Sequence, residues 1–239
     1  MSRAHRRVRI DRPFFRDTQD LYHVRSTILR ALTSVLSTWH GILPSVACRV
    51  KPCRPLTMAP PARGERCIGL DFKVDDDPKD NCVRPDPVRG DVTIPLADTR
   101  VDRAFAAIVL EHCPDPLALL RERNRVMRPG ALVLITVPFL WLLQDAPYDE
   151  RRYTPFAIRR LLQSAGSVDA QVHATGGWDA SLGRMIGLWL IRWPLPRPLR
   201  AVLKVLSYPV VRLFVRGDRV AEEVDRLMIT ALWATARRS

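Results

Sequence analysis

The sequence lacks paired cysteines, and this absence excludes two classes of small stabilised domain. Its five cysteines (Cys48, Cys53, Cys67, Cys82 and Cys113) are an odd number and form no C-x-x-C pair. The pattern supports neither a disulfide framework nor a zinc ribbon, and it favours buried or reduced thiols. We therefore expect no metal site.

The sequence is also poor in the long apolar segments that mark membrane and secreted proteins. The apolar run Pro129–Gln144 covers 16 residues and contains Pro138, whereas a spanning helix needs about 20 residues. The N-terminus is basic, but Asp11, Asp17 and Asp20 lie where a signal peptide would have its apolar core. We expect no transmembrane helix and a cytoplasmic protein.

Acidic residues are outnumbered, and the excess positive charge is concentrated in two segments. Of the net charge of +13, residues 1–16 carry +5 and residues 184–219 carry +7, which leaves a nearly neutral body. The apolar content of 47% excludes a disordered chain. We expect a basic tail over residues 1–16 and a single domain over residues 17–239, which includes a basic, apolar helical cap at 182–216.

Short apolar runs alternate with helical stretches through the middle of the chain. The runs Cys67–Leu70, Ala104–Leu110 and Ala131–Pro138 are typical of parallel strands that are buried on both faces. Between the last two runs, Asp115–Met127 has helical spacing and is followed by Pro129-Gly130. Strand, helix and strand in this order predict a βαβ unit, and its repetition predicts a doubly wound α/β sheet.

Further elements are predicted on both sides of this unit. Helical spacing predicts an amphipathic helix over Asp17–Trp39 and another over Thr154–Ala165, and a strand is expected near Val168–Ala174. Residues 182–215 are apolar but contain four prolines, which predicts two or three short helices. The run Leu227–Ala236 is predicted to be the last strand.

Three motifs, taken in order, resemble one known family. They are Gly90-Asp91-Val92-Thr93-Ile94-Pro95-Leu96-Ala97-Asp98, Leu110-Glu111-His112-Cys113-Pro114-Asp115-Pro116 and Asn124-Arg125-Val126-Met127-Arg128-Pro129-Gly130, and the likeness continues through Val137-Pro138 and Arg152-Tyr153-Thr154-Pro155. With this spacing, residues 40–180 resemble the class I S-adenosylmethionine-dependent methyltransferases, in particular the small-molecule branch of type 11. The resemblance implies a Rossmann-like, mostly parallel seven-stranded sheet with an N-terminal helix and a C-terminal helical insertion. It also implies S-adenosylmethionine as cofactor.

The resemblance assigns cofactor contacts to four residues. Asp71, after the second strand, would accept hydrogen bonds from the ribose hydroxyls, and Asp91 would contact the adenine amino group. Ala47 and Leu110 would lie against the cofactor as well. The residues alone leave other roles open, because Asp71 could cap a turn and Asp91 could form an Asx-turn.

Catalytic and substrate-binding candidates follow the second and third of the predicted buried strands. Glu111 and His112 lie at the carboxyl end of the run Ala104–Leu110, where His112 could act as a base or the pair could only shape the cofactor pocket. In the family, the segment that contains Asp145, Tyr148 and Tyr153 covers the substrate mouth. Its charged and aromatic residues could equally form a solvated rim.

The sequence departs from the family at the glycine-rich turn after the first strand. Lys51-Pro52-Cys53-Arg54-Pro55-Leu56 resembles the segment that follows this turn in relatives, and counting back from it places Ser45 at the acidic position. Ala47 and Arg49 then occupy the two glycine positions. The long charged side chain of Arg49 would lie where the cofactor tail passes, and this predicts weaker binding of the cofactor.

These observations leave two main functions, and they leave two roles for the basic segment 184–219. The first function is a methyltransferase for a small-molecule or lipid/glycan-type acceptor, and the alternative is a non-catalytic relative that serves as a binding or regulatory module. Nucleic-acid binding is disfavoured because the basic residues lie in two attachments and no stacking-aromatic motif is present. The basic segment 184–219 suits a helical cap over the substrate pocket, or peripheral contact with an anionic membrane at its inner face.

Overall fold

The computed structural model describes residues 92–94, 96–143, 146–222 and 227–239 in full. It also describes Val35, which is helical, and the backbone of three strands between residues 40 and 83. The predicted basic tail 1–16 and the rest of the predicted helix Asp17–Trp39 lie outside the described residues.

The described strands form one mixed sheet. They are β1 (His40–Val46), β2 (Arg63–Leu70), β3 (Cys82–Val83), β4 (Val101–Ala107), β5 (Met127–Pro138), β6 (Ser167–Thr175) and β7 (Ala231–Arg238). Their order across the sheet is β3-β2-β1-β4-β5-β7-β6. Strands β1 to β5 pair in parallel, and β7 runs antiparallel to both of its neighbours. The predicted α/β architecture is confirmed.

Four α-helices accompany the sheet within the described residues: α1 (Pro116–Val126), α2 (Pro155–Ser164), α3 (Trp178–Arg192) and α4 (Arg197–Gly217). The first two begin as the sequence predicts. The Asp115 carboxylate accepts from the Ala118 amide at 2.9 Å, and the Thr154 hydroxyl accepts from the Ala157 amide at 3.2 Å. Each N-cap is followed directly by a proline, whose missing N–H is not needed in the first turn.

The hydrophobic core lies between the sheet and helices α1 and α2. Strand β5 is buried from Val133 to Pro138, as expected of a parallel strand covered on both faces. Leu120 of α1 and Leu162 of α2 are at most 1% exposed. The apolar stripe that predicted each helix therefore faces the sheet.

The segment 182–215 differs from its prediction as two or three short helices. The structure has two longer helices, α3 with 15 residues and α4 with 21. Pro194 and Pro196 lie between the helices and Pro198 lies in the first turn of α4, so only Pro209 is inside a helix. The prolines mark the connection between the helices because a helix tolerates proline in its first turn.

The start of α3 is held by the residues that follow α4. The Asp218 carboxylate accepts from the backbone amides of Gly177 at 2.8 and 2.9 Å and of Ala180 at 2.8 Å. A carboxylate at this place pairs with amides that have no partner within the helix and with the positive end of the helix dipole. The helical hairpin is thereby closed at its base.

No helix in the described part of the chain is long and apolar enough to cross a membrane.

Candidate functional site

The order of the strands reverses between β1 and β4. We call the region outside the carboxyl ends of these two strands the crevice. From β1 the chain continues to β2 and β3 on one side, and it returns to β4 and β5 on the other. The carboxyl ends of the two central strands lie side by side, with Ser45 paired to Phe105 and Val46 paired to Ala106. In open α/β sheets, ligands bind outside the carboxyl ends of the strands at such a reversal.

The chain leaves β4 into this crevice through a tight turn. The sequence predicted that the strand continues to Leu110, but it ends at Ala107, and Ile108 has a φ of +55°. Leu110, Glu111 and His112 then form a short 3-10 helix. The prediction of the strand end was wrong because a single positive φ in a β-branched residue leaves no sign in the apolar pattern.

All three residues of the 3-10 helix are buried. Leu110 is 1% exposed, Glu111 is 0% and His112 is 5%. Charged side chains are almost never buried so completely unless they are paired. The turn therefore brings an acid and an imidazole into the protein at the carboxyl edge of the sheet.

Residues 146–153 pack against this turn through backbone contacts. The Glu150 amide donates to the Glu111 carbonyl at 3.0 Å, and the Tyr153 hydroxyl donates to the Leu110 carbonyl at 2.9 Å. The structure thus brings together five predicted site residues: Leu110, Glu111, His112, Tyr148 and Tyr153.

The imidazole of His112 lies between this segment and Glu111. Its Nδ1 atom is 3.3 Å from the Tyr148 carbonyl oxygen, and its Nε2 atom is 3.7 Å from Glu111 Oε1. Because a carbonyl oxygen only accepts, Nδ1 carries the hydrogen in that contact. Nε2 is then the nitrogen without a hydrogen, and it lies on the side of Glu111.

Two neighbouring arginines attach the segment 146–153 to the rest of the site, and the sequence analysis gave neither a role. Arg151 donates to the Cys113 carbonyl at 2.5 Å and to the Pro114 carbonyl at 2.9 Å. Arg152 donates to Asp149 Oδ2 at 2.7 Å, and the Asp149 side chain is only 1% exposed. The hydrogen bond to Asp149 raises the pKa of Arg152, and the negative charge of Glu111 acts in the same direction. The Arg152-Tyr153-Thr154-Pro155 motif was the available signal, since it places these side chains directly before α2.

Burial keeps two further groups of the site neutral. It raises the pKa of the Cys113 thiol to about 11, so Cys113 is a thiol rather than a nucleophilic thiolate near neutral pH. It also raises the pKa of Tyr153, which is 6% exposed. The hydroxyl of Tyr153 is engaged by Leu110, so this side chain positions the turn, whereas Tyr148 is 40% exposed and faces solvent.

The other predicted site residues lie outside the described residues. They are Ala47, Asp71, Asp91 and Asp145, together with Arg49 of the altered glycine turn. Their described neighbours locate the relevant strand ends, because β1 ends at Val46 and β2 ends at Leu70. Ser45 lies on β1, one residue before that end.

The described residues contain no cluster of three histidine, cysteine or acidic side chains that could hold a metal ion. They do contain an open cavity of about 550 Å³ at the opposite edge of the sheet. Its lining residues are Leu132, Gln163, Asp169, Ala170, Gln171, Thr235 and Arg237. None of these belongs to the crevice between β1 and β4.

Comparison with known proteins finds similarity to methyltransferases over part of the chain. Residues 50–135 match the model of a methyltransferase domain family. A curated relative, an uncharacterized methyltransferase from Mycobacteroides abscessus, is 34% identical in a match that covers 33% of this chain and 33% of the relative. The chain thus spans about a third of the length of this relative.

Solved structures show the same fold over nearly the whole chain. A methyltransferase from Archaeoglobus fulgidus that depends on S-adenosylmethionine superposes with a TM-score of 0.55 at 16% identity, covering 94% of this chain and 96% of the other. The resemblance to the class I methyltransferases is confirmed. Phosphoethanolamine N-methyltransferase 2 of Haemonchus contortus, solved with S-adenosylmethionine, has a TM-score of 0.54 at 12% identity, with 89% and 52% of the two chains covered.

The family match and the site overlap only in part. The matched residues include β2 to β4, most of β5, the turn Leu110–His112 and helix α1. The match ends before the segment 146–153 and before the hairpin of α3 and α4. The family match therefore covers the strands and the turn at the crevice and leaves out the segment 146–153 and the helical hairpin.

Proposed function

We propose that this protein is an S-adenosylmethionine-dependent methyltransferase that acts on a small-molecule or lipid/glycan-type acceptor. The observation that carries the proposal is the buried Glu111–His112 pair at the strand reversal, inside the part of the chain that matches a methyltransferase family. The position suits the cofactor because ligands of open α/β sheets bind at this reversal.

The residues around the crevice fit the parts of the cofactor. Leu110 is a buried apolar residue of the 3-10 helix that follows β4, and Asp71 directly follows the last residue of β2. A carboxylate at that strand end suits the two vicinal hydroxyls of a ribose. The bound cofactor supplies an electrophilic methyl group on a sulfonium centre.

The contribution of the protein is alignment and proton removal. In the transfer, the lone pair of an acceptor oxygen or nitrogen forms a bond to the methyl carbon as the carbon–sulfur bond breaks, and the sulfur keeps that electron pair. The proton of the acceptor then has to leave. We assign this role to His112 Nε2, and the contact of Nδ1 with the Tyr148 carbonyl and the neighbouring Glu111 support the assignment.

The alternative, a non-catalytic module, draws its support from the sequence of one turn. Ser45, Ala47 and Arg49 replace the acidic residue and the two glycines of the family. Nothing among the described residues of the crevice adds to that alternative. The turn after β4 is held in place by hydrogen bonds from the segment 146–153. Methyltransfer is therefore the better supported function.

Replacing His112 with glutamine tests this assignment. We expect about a hundredfold lower rate of methyl transfer, with little change in the affinity for S-adenosylhomocysteine, because a general base contributes mainly to the rate. The measurement uses methyl-tritiated S-adenosylmethionine with small-molecule and lipid fractions of a cell extract as acceptors.

The matched control is Cys113→Ser, the neighbouring buried residue that has no part in the proton transfer. It should retain the rate of the natural protein within about threefold, a change of less than 1 kcal/mol in the activation barrier. If His112→Gln abolishes binding of S-adenosylhomocysteine together with the rate, His112 shapes the pocket and is not the base. Absence of transfer by the natural protein to any fraction would contradict the proposed activity.

A further inference from the structure

Helix α3 exposes a continuous apolar stripe that includes three tryptophans. The stripe consists of Trp178, Leu182, Met185, Trp189 and Trp193, which are between 49% and 63% exposed. They recur at intervals of three or four residues, so the first four lie on one face of α3, and Trp193 directly follows its last turn. Soluble monomers rarely leave such a contiguous apolar face open.

Helix α4 exposes a second stripe of the same kind. Its residues are Leu199, Val202, Leu206, Val210 and Leu213, which are between 45% and 71% exposed. The other side of α4 packs on α3, where Val211 is fully buried and a Cβ on Gly183 would lie 3.4 Å from Phe214 Cβ. Thus α4 is apolar on two sides, and only one of them is used inside the protein. We call the ten residues of the two stripes the hairpin surface.

The charge around the hairpin surface is predominantly positive, with the exposed Asp179 beside Trp178 as an acidic neighbour. Residues 180–217 contain seven arginines and lysines and no acidic residue. Arg192, Arg197, Arg212 and Arg216 are exposed. Arg184 is buried, with its guanidinium 4.3 Å from the centre of the Trp141 ring. The hairpin surface is therefore an apolar face bordered by cations.

We propose that the hairpin surface binds the surface of an anionic lipid bilayer. Exposed Trp and Leu side chains suit the boundary between headgroups and acyl chains, and arginines beside them attract anionic headgroups. Neither helix is long and apolar enough to cross the membrane, so the hairpin would lie in the plane of the interface. An anionic lipid surface can both bury the apolar stripes and pair with the positive charge.

A second copy of the chain fits this face less well. In a twofold dimer the same patch meets itself, so the exposed arginines of one hairpin would approach those of the other. Like charges brought together across an interface are unfavourable. A nucleic acid would use the arginines but would leave the apolar stripes in contact with a polar backbone.

The helical hairpin is connected to the candidate site through the residues that follow β5. Trp141 contacts Arg184 of α3, and the Leu142 carbonyl accepts from Arg152 Nη2 at 3.4 Å. Leu143, between them and the site segment, is 71% exposed. Resting on the proposed function, this continuity indicates an amphiphilic acceptor that the enzyme takes from the membrane surface. The lipid binding itself does not depend on methyl transfer.

Vesicle co-sedimentation of the full chain tests the lipid proposal. The two vesicle types are phosphatidylcholine alone and phosphatidylcholine mixed with phosphatidylglycerol, and we expect clear binding only to the mixture. Replacing Leu206 and Leu213 together with serine should weaken binding about tenfold or more, because two exposed apolar side chains are lost from the interface. Replacing Arg212 and Arg216 together with glutamate should weaken it about thirtyfold or more.

Helix α2 and strand β6 provide matched controls away from the hairpin. Phe156 and Val168 are 55% and 45% exposed, and their serine variants should bind as the natural protein does. The exposed Arg159 and Arg160 of α2, replaced with glutamate, control for net charge. Thermal unfolding of each variant checks that the fold is retained.

Four results would overturn the proposal. They are no binding of the natural protein to the anionic vesicles, equal binding to both vesicle types, binding that the hairpin variants leave unchanged, and self-association or RNA binding that those variants abolish in place of lipid binding. The last result would identify a second copy or a nucleic acid as the partner. Binding of S-adenosylhomocysteine, measured on the same samples, separates this proposal from the proposed activity.

Discussion

Replacing Gly177 with alanine is expected to lower the free energy of unfolding by about 3 kcal/mol. A Cβ at this position would lie 1.8 Å from the Arg219 carbonyl oxygen and 2.8 Å from its carbon. These are backbone atoms, so a side-chain rotation cannot relieve the clash. Separation of Gly177 from residues 218–219 also takes the Asp218 carboxylate away from the amides of Gly177 and Ala180.

Gly217→Ala is the matched control for this variant, because Gly217 lies in the same hairpin and nothing is within 4 Å of the position of its Cβ. Its stability should be unchanged or slightly raised, since alanine restricts the unfolded chain. Chemical denaturation of both variants measures the difference. Equal stability of the two would show that residues 218–219 do not close the base of the hairpin.

Replacing Asp149 with asparagine is expected to detach the segment 146–153 from the site and to cost about 2 kcal/mol of stability. The Asp149 carboxylate is 1% exposed and pairs with Arg152, whose side chain is 23% exposed. Removing one partner of a buried ion pair lowers the free energy of unfolding by about 3–5 kcal/mol. We expect a smaller loss here because Arg152 is partly exposed. The Glu150 amide, which donates to the Glu111 carbonyl, should then exchange its hydrogen faster.

Glu150→Gln removes a neighbouring carboxylate from a different kind of pair and serves as the control. Glu150 and Arg151 are 39% and 35% exposed, and exposed ion pairs contribute little to stability. Hydrogen exchange and denaturation are measured on both variants. The role given to Asp149 would be wrong if, after correction for the intrinsic exchange rate of each sequence, the amide of residue 150 exchanged no faster in Asp149→Asn than in Glu150→Gln.

The sequence carried enough information to predict the elements around the core. A continuous apolar run predicted β5, because a strand buried on both faces has no polar alternation to obscure it. Asp115 and Thr154 predicted the starts of α1 and α2, since an N-cap acts on amides only a few residues away. Local signals thus sufficed where the physical cause is local.

The site depends on contacts between residues that are far apart in the chain, and these contacts could not be predicted from the sequence. Tyr153 reaches the Leu110 carbonyl across 43 residues, and Asp218 reaches the Gly177 amide across 41. The lengths of α3 and α4 were also missed, because Pro198 lies in the first turn of α4, where proline is tolerated, and because α4 continues past Pro209. The resemblance to a family placed Glu111 and His112 at a strand end, but only the structure shows that both are buried beside Tyr148.

The central claim is that the crevice between β1 and β4 binds S-adenosylmethionine despite the altered glycine turn. Calorimetric titration with S-adenosylmethionine and S-adenosylhomocysteine tests it directly, on the natural protein and on Asp71→Ala. Asp98→Ala is the control, because Asp98 is an exposed carboxylate that precedes the amino end of β4 and pairs with Arg125. We predict micromolar binding that Asp71→Ala loses and Asp98→Ala keeps. A folded natural protein that binds neither compound at millimolar concentration would contradict the account and leave a methyltransferase fold with another use.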